Sequence, residues 1–184
     1  MNRSLVAVLA TLTCAALATP AAAQKKDISV RGYFGIGGGL AIPVGDFSEG
    51  VKTGWLGQAL GGFTTRGGIF GARADVSFGQ NSIKGGGGKI QLVGGNVDVV
   101  LTPGHRPANF HPYLLAGLGL YNAKPAGGAT GTSETKLALN GGLGVQFHLG
   151  HRTDLYVEGR FLSVRTQSSS NLIPLTLGFR WGGI

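Results

Sequence analysis

The stretch FGARADVSF, residues 70–78, alternates between two kinds of side chain at every position. Its apolar positions are Phe70, Ala72, Ala74, Val76 and Phe78. The positions between them carry small, polar or charged side chains: Gly71, Arg73, Asp75 and Ser77. Successive side chains of a β-strand point to opposite faces of a sheet, whereas a helix needs apolar residues three and four apart. The stretch therefore predicts a strand with one apolar and one polar face.

The same two-residue period recurs in seven other parts of the chain. These parts cover residues 34–42, 55–64, 91–101, 113–121, 137–149, 155–162 and 173–181. The part from Trp55 to Thr64 is the least regular, and its pattern does not decide which face is which. An even number of antiparallel strands brings the last beside the first, which closes the sheet and removes its edges. The pattern predicts an all-β fold, a closed antiparallel up-and-down β-barrel of about eight strands.

Glycine is the most unusual feature of the composition, with 35 residues among 184, against an average usage of about 7%. About half of these glycines lie within the alternating apolar stretches, which are too hydrophobic for a disordered chain. Helices are also disfavoured, because each interior glycine costs about 1 kcal/mol relative to alanine. After residue 23 no run of 18 apolar residues occurs, which argues against membrane-spanning helices.

The choice of outward face decides whether such a barrel is soluble or spans a membrane. One face carries Leu, Val, Ile and Phe, and the other carries many glycines and six charged residues: Arg73, Asp75, Asp98, Glu158, Arg160 and Arg180. An eight-stranded barrel has a lumen just wide enough for side chains to fill. Acids and arginines can pair there, whereas a broad apolar exterior suits lipid and would aggregate in water. We expect a transmembrane barrel whose centre is filled by glycines and by these six residues as a charge network.

Aromatic residues near the strand ends support a membrane location. Transmembrane barrels carry girdles of aromatic side chains at both membrane interfaces. The residues expected in these girdles are Phe63, Phe70, Phe78, Tyr121, Phe147 and Trp181. Ordinary β-propensity is the alternative explanation, since aromatic residues favour strands in any sheet.

The beginning of the chain has the pattern of a cleavable signal peptide. Residues 5–17 are mostly apolar and follow a basic residue, and Ala21-Ala22-Ala23 offers small residues for cleavage. A transmembrane anchor is disfavoured because it needs about 20 apolar residues, and a lipoprotein signal at Cys14 is disfavoured by the residues before it. We predict a signal peptide at residues 1–23 and a barrel domain at residues 24–184.

Three segments carry a resemblance to a known family: GGGLAIPVGDF at residues 37–47, PYLLAGLG at residues 112–119 and the closing strand LTLGFRW at residues 175–181. With these segments the chain resembles the small outer-membrane β-barrels of the OmpA and OmpX kind, from about Val30 to Trp181. The resemblance implies a location in the outer membrane of a Gram-negative cell, with both termini on the periplasmic side. It also implies that the closing strand is recognised by the barrel-assembly machinery.

No motif matches a catalytic or nucleotide-binding signature. Gly85-Gly86-Gly87-Gly88-Lys89 lacks the earlier glycine and the following Ser or Thr of a phosphate-binding loop. The four histidines lack the spacing of a metal site, although two of them, His105 and His111, fall in one loop. We expect a protein that is not an enzyme and that uses no cofactor and no metal. A lipid-modifying outer-membrane enzyme is the least favoured alternative.

Five lysines lie in or beside the loops expected to face outward from the cell: Lys52, Lys84, Lys89, Lys124 and Lys136. We expect them to contact the anionic phosphates of lipopolysaccharide or of another lipid in that leaflet. The general solubility of loops explains them equally well. The formal net charge is +8, but the basic residues are dispersed, which disfavours a nucleic-acid partner.

The sequence therefore predicts a monomeric integral protein of the cell outer membrane whose interior is plugged by side chains. Its expected role is structural, in envelope integrity, or lies in surface adhesion. The alternative is a porin-like narrow pore or a small-ligand binding module in which the glycine-lined lumen stays open.

Overall fold

The computed structural model describes residues 30–65, 68–103, 109–127, 133–150, 152–164 and 170–182. The predicted signal peptide at residues 1–23 lies outside these ranges, so its cleavage stays a prediction. Among the described residues, no helix combines the length and hydrophobicity needed to span a membrane.

Eight strands make up most of the described chain. Their bounds are β1 Val30–Val44, β2 Gly54–Thr65, β3 Phe70–Ser82, β4 Lys89–Leu101, β5 Phe110–Ala126, β6 Glu134–Gly150, β7 Thr153–Val164 and β8 Ser170–Gly182. A short helix, α1 (Phe47–Gly50), lies between β1 and β2. Each predicted stretch falls within one strand, but the strands have 12–17 residues. They exceed the roughly 9–11 residues that a tilted strand needs to cross a bilayer.

The sheet closes on itself. Each strand pairs antiparallel with its neighbours in sequence, and β1 also pairs antiparallel with β8. The prediction of a closed up-and-down barrel of eight antiparallel strands is therefore confirmed. We call the end that holds Val30 and Gly182 the terminal end. The opposite end, where residues 45–53 and 83–88 connect strands, is called the loop end.

Apolar side chains cover the outside of the barrel. Phe34, Val97 and Leu143 are 63%, 65% and 64% exposed. Five of the charged residues predicted for the interior are at most 5% exposed: Arg73, Asp75, Asp98, Glu158 and Arg160. The structure therefore places these five charged residues inside the barrel and large apolar side chains on its outside.

The faces of β2 are settled by the structure. Leu56 and Leu60 point into the barrel and are buried, while Trp55 and Phe63 point outward with about half of their surface exposed. Both faces of this strand carry large apolar side chains. The contrast between apolar and polar positions is therefore absent here, which is why the sequence pattern does not distinguish the faces.

Tyrosines also occupy the lumen, in addition to the expected glycines and ions. All four tyrosines of the chain are buried: Tyr33, Tyr113, Tyr121 and Tyr156. A buried phenol needs a hydrogen-bond partner, and the lumen supplies one, since Tyr113 donates to Glu158 at 2.6 Å. The phenylalanines of the strands have no hydroxyl group to satisfy, and they all face outward with exposures between 37% and 63%.

The assignment of Tyr121 to an aromatic girdle is therefore wrong. Its ring lies inside the barrel, and its hydroxyl oxygen accepts a hydrogen bond from Nδ2 of Asn96 at 2.8 Å. Its position on β5 is in phase with the buried Tyr113 and Gly119 rather than with the exposed Leu120. The phase of a strand thus outweighs the general preference of aromatic residues for membrane interfaces.

Each tyrosine lies directly opposite a glycine of the neighbouring strand. The four register pairs are Tyr33 with Gly62, Tyr113 with Gly144, Tyr121 with Gly94 and Tyr156 with Gly178. A Cβ atom added at Gly144 would lie 2.5 Å from Oη of Tyr113, and the three atoms nearest to it all belong to that tyrosine. Part of the glycine content therefore has a steric reason: the phenol rings lie across the backbone of the next strand.

Replacing Gly144 with alanine is expected to destabilise the folded barrel by about 1–3 kcal/mol, the range for overpacked interiors. Gly61 is the matched control, because the nearest atom to a Cβ there would be 3.8 Å away. Gly61→Ala should change the free energy of unfolding by less than about 0.5 kcal/mol. Urea unfolding followed by tryptophan fluorescence measures both variants, and equal stabilities would contradict the proposed fit of tyrosine against glycine.

Candidate functional site

The charged residues of the lumen come from opposite parts of the wall. Arg73 and Asp75 lie on β3 and Asp98 lies on β4, whereas Glu158 and Arg160 lie on β7. The neighbours of β7 are β6 and β8, so β7 shares no backbone hydrogen bonds with β3 or β4. Contacts between the two groups therefore cross the lumen. We call these five residues the central cluster.

Short hydrogen bonds join both arginines of the central cluster to its carboxylates. Nη1 and Nη2 of Arg73 donate to the two carboxylate oxygens of Glu158 at 2.7 and 3.0 Å. Nε of Arg160 donates to Glu158 at 2.6 Å, and its Nη2 donates to Asp75 at 2.7 Å. Nη1 of Arg160 also lies 3.2 Å from Asp98. Each arginine thus reaches at least one carboxylate on the far side of the barrel.

Neutral donors complete the cluster. Two arginines face three acids, so the formal charge is +2 − 3 = −1 when all five groups are ionised. Each acid also accepts one hydrogen bond from a neutral side chain, at 2.6–2.9 Å: Asp75 from Asn96, Asp98 from Asn140 and Glu158 from Tyr113. Hydrogen bonds to an ionised acceptor are roughly twice as strong as neutral ones. These donors therefore reduce the cost of burying the third acid.

The sequence prediction did not include Asn96, Asn140 or Tyr113 in the interior network. All three lie on the inward phase of their strands, and Asn96 is two residues from Asp98. That phase is the signal that could have identified them, because a polar side chain in a filled lumen must find a partner there.

Arg180 does not belong to the central cluster, which corrects the predicted six-residue network. It lies near the terminal end on β8, where its Nη2 donates to Asp154 at 2.6 Å and its guanidinium stacks 4.5 Å from the ring centre of Tyr33. Nδ1 of His148 lies 2.9 Å from the same carboxylate. Alternation indicates whether a side chain points inward but not its height in the barrel. The sequence therefore grouped Arg180 with residues that lie deeper, and it missed Asp154.

Toward the loop end the lumen becomes apolar. Its buried side chains are Ala41, Leu56, Tyr121, Ala138, Leu162, Val164 and Leu172, and Phe47 of α1 packs against them. A cavity of about 40 Å³ reaches from this layer to Asp75 and Arg160 of the central cluster. That volume accommodates only a few water molecules.

Most of the predicted girdle residues stand on the outer wall. Phe63, Phe70, Phe147 and Trp181 lie toward the terminal end, and Phe78 lies toward the loop end. Three of these rings contact an aromatic ring that the prediction omitted: Phe34, Trp55 and Phe110, at centroid distances of 5.4–5.5 Å. The omitted residues lie on the same outward phase, so the alternation of their strands was sufficient to find them.

The five lysines predicted to contact lipid are all near the loop end, in different surroundings. Lys136 lies on the inward phase and pairs with Glu134 at 2.6 Å. Nζ of Lys84 donates to the backbone oxygen of Ser48 at 2.7 Å. The remaining three are exposed: Lys52, Lys89 and Lys124. The five lysines therefore do not form one continuous patch.

Replacing Arg160 with methionine is expected to lower the free energy of unfolding by about 3–5 kcal/mol, because it leaves three buried acids with one arginine. Lys136→Met is the matched control, since it also removes one cation from an ion pair, but a partly exposed one. Its effect should stay below about 1 kcal/mol. Thermal unfolding monitored by gel mobility of unboiled samples compares the two, and similar losses would show that the central cluster contributes little.

Several solved structures share this fold. The Neisserial surface protein A, NspA, has a TM-score of 0.61 and 17% sequence identity, over 83% of this chain and 96% of that chain. Ail, the attachment invasion locus protein of Yersinia pestis, has a TM-score of 0.56 and 14% sequence identity, over 83% of this chain and 97% of that chain. The outer membrane protein OprG from Pseudomonas aeruginosa has a TM-score of 0.54 and 16% sequence identity, over 82% of this chain and 95% of that chain. At these identities the likeness shows the fold alone.

The sequence itself identifies the family. No curated protein matches it. The family model described as the outer membrane protein beta-barrel domain matches residues 7–180, which is nearly the whole chain. Together with the closed eight-stranded barrel and its apolar outer wall, this match shows that the chain belongs to the outer membrane protein β-barrel family.

Proposed function

We propose that the protein is a monomeric structural component of the outer membrane whose lumen is closed by its own side chains. The observation that carries the proposal is the central cluster, in which Arg73 and Arg160 bind carboxylates on the opposite wall. An eight-stranded barrel is narrow enough for such contacts to fill it. The closed sheet also leaves no strand edge for pairing with a second copy, which supports a monomer.

A pore or a small-ligand site would need more space than the cavity beside the central cluster offers. Ligand pockets usually have volumes of about 300–1,000 Å³, whereas the cavity beside Asp75 and Arg160 has about 40 Å³. Leu56, Leu162 and Leu172 of the apolar layer line this cavity on its side toward the loop end. The size of the cavity therefore favours a closed barrel over the pore and ligand-binding alternatives.

Two of the loop-end connections, residues 45–53 and 83–88, favour an envelope role over adhesion. The backbone N–H of Lys52 donates to Ser82 at 2.8 Å, and that of Lys84 donates to Gly50 at 2.8 Å. Nδ2 of Asn81 donates to the backbone oxygen of Ala41 at 3.0 Å and to that of Lys52 at 2.9 Å. The first two loop-end connections are thus tied to each other and to the barrel rim. They offer a partner little projecting surface.

The interior carboxylates also support a role without catalysis. Both oxygens of Glu158 accept hydrogen bonds from arginine, and Asp75 is bound by Arg160 and Asn96. A general base needs an oxygen that a substrate can reach. Among the described residues, no group of three or more His, Cys, Asp or Glu is arranged to hold a metal ion.

Single-channel recording in planar bilayers tests the closed lumen. The refolded protein is expected to give no steady conductance, because the side chains of the central cluster pair with each other across the lumen. Gel mobility of unboiled samples provides the control that the barrel has folded. Large, steady currents from folded protein would overturn the proposal.

Export by a cleavable signal is a separate proposal. Cleavage after Ala23 would leave Gln24 as the first residue of the mature protein. Mass spectrometry of protein from an outer-membrane fraction is expected to give the mass of residues 24–184. The mass of an uncleaved chain, or a lipid modification at Cys14, would contradict this prediction.

A further inference from the structure

Only two charged side chains of the strands lie on the outward phase, and both are lysines. In the described strands, the outward phase of β4 includes Lys89 together with the exposed Val93, Val97 and Val99. The outward phase of β5 includes Lys124 together with exposed leucines. The other charged strand residues lie on the inward phase: Arg31, Arg73, Asp75, Asp98, Glu134, Lys136, Asp154, Glu158, Arg160 and Arg180.

The two lysines are diagonal neighbours on adjacent strands. Lys89 lies opposite Ala126, and Lys124 lies opposite Gln91. The register runs without a shift from these pairs to Leu101, so the outward phase is continuous along both strands. Diagonal neighbours of this kind are about 7–8 Å apart. Two flexible lysine side chains at that separation can bind one anion, with the amide of Gln91 beside them.

The height of the pair places it just outside the apolar belt. The last large outward apolar residues are Val93 on β4 and Leu120 on β5, and each lysine lies four residues further toward the loop end. Four residues span about 13 Å along a strand, or roughly 10 Å along the membrane normal at the usual tilt. Lysine side chains bend toward the interface to keep the ammonium group in the headgroup layer. The pair is therefore within reach of lipid phosphates.

No described acid neutralises this pair. The loop end carries three acids, Asp46, Glu49 and Glu134. Glu134 is bound to Lys136, and neither Lys89 nor Lys124 forms an ion pair among the described residues. Two positive charges thus remain on a wall that is otherwise uncharged.

We propose that Lys89 and Lys124 form a binding site on the outer wall for the phosphate of an anionic membrane lipid. The proposal rests on the proposed function in one respect: the loop end must lie in a lipid headgroup layer. The sequence predicts lipid contacts at five lysines, and this proposal assigns the lipid site to two of them, which face the surrounding lipid from the side of the barrel. The partner approaches from the side, where lipid surrounds the wall, rather than from above the loops.

Native mass spectrometry of the mature protein in detergent micelles provides the test. The probes are di-phosphorylated lipid A, phosphatidylglycerol and the zwitterionic phosphatidylcholine. The double variant Lys89→Gln/Lys124→Gln is compared with Lys52→Gln/Lys136→Gln, which removes the same charge at the same end. The first variant should bind the two anionic lipids about 30-fold more weakly, since each basic residue near an anionic surface contributes about 1 kcal/mol and 1.4 kcal/mol is tenfold. The control should bind as the wild type does, and Lys89→Arg/Lys124→Arg should retain binding.

Three results would overturn the site. They are unchanged binding in Lys89→Gln/Lys124→Gln, an equal loss in the control, and displacement of the lipid by inorganic phosphate. Gel mobility of unboiled samples shows that every variant is folded. This test can fail independently of the test of the closed lumen, because one measures lipid binding to purified protein and the other measures conductance. A closed barrel without lipid selectivity refutes only the lysine site, and a conducting barrel with selectivity refutes only the closed lumen.

Discussion

The ion pairs that cross the lumen set the conditions that the rest of the barrel has to meet. Arg73 reaches from β3 to Glu158, and Arg160 reaches from β7 to Asp75, so they connect walls that share no backbone hydrogen bonds. A buried charge without its partner costs several kcal/mol. The cluster therefore requires a lumen of fixed width, neutral donors for the third acid, and packing that limits water. Eight strands provide the width, and the layer that includes Leu162 and Leu172 packs the side toward the loop end.

The lipid outside determines what has to be placed inside. Because the outer wall must be apolar, every polar side chain at membrane depth has to fit into a narrow lumen. Tyrosine follows this rule as strictly as the ions do, since its ring fills volume and its hydroxyl group joins the polar network. Tyr113 illustrates the steric consequence: its ring lies over Gly144, where any larger residue would collide with it. Glycine on one strand and tyrosine on the next therefore form one packing unit, which links the glycine content to the central cluster.

Alternation along the strands predicts whether each side chain points into the barrel or out of it. It was sufficient to predict eight strands, a closed barrel and an inward position for the five residues of the central cluster. It does not predict the height of a side chain along the barrel axis, because that height depends on strand register and tilt. Arg180 was for that reason grouped with residues far below the terminal end, and its partner Asp154 was missed. Tyr121 failed for another reason: a general preference of aromatic residues was applied against the phase of its own strand. In β2 the inward residues Leu56 and Leu60 are as apolar as the outward ones. The strand therefore lacks the contrast between apolar and polar positions that would identify its faces.

The outer wall also carries information on how deep the barrel sits in the membrane. A lysine on the lipid-facing surface costs about 2–4 kcal/mol at the bilayer midplane and close to nothing near the interface. Lys124 on β5 therefore has to lie at or beyond the edge of the hydrocarbon. Phe110 begins the same strand at the terminal end, where its ring packs against Phe147. Lys124 lies fourteen positions after Phe110, which corresponds to about 35 Å along the membrane normal for a strand tilted by about 40°. A hydrocarbon core of about 30 Å fits between the two, with the remaining length in the headgroups. The aromatic residues at one end and the outward lysines at the other thus fix the same position of the barrel in the bilayer.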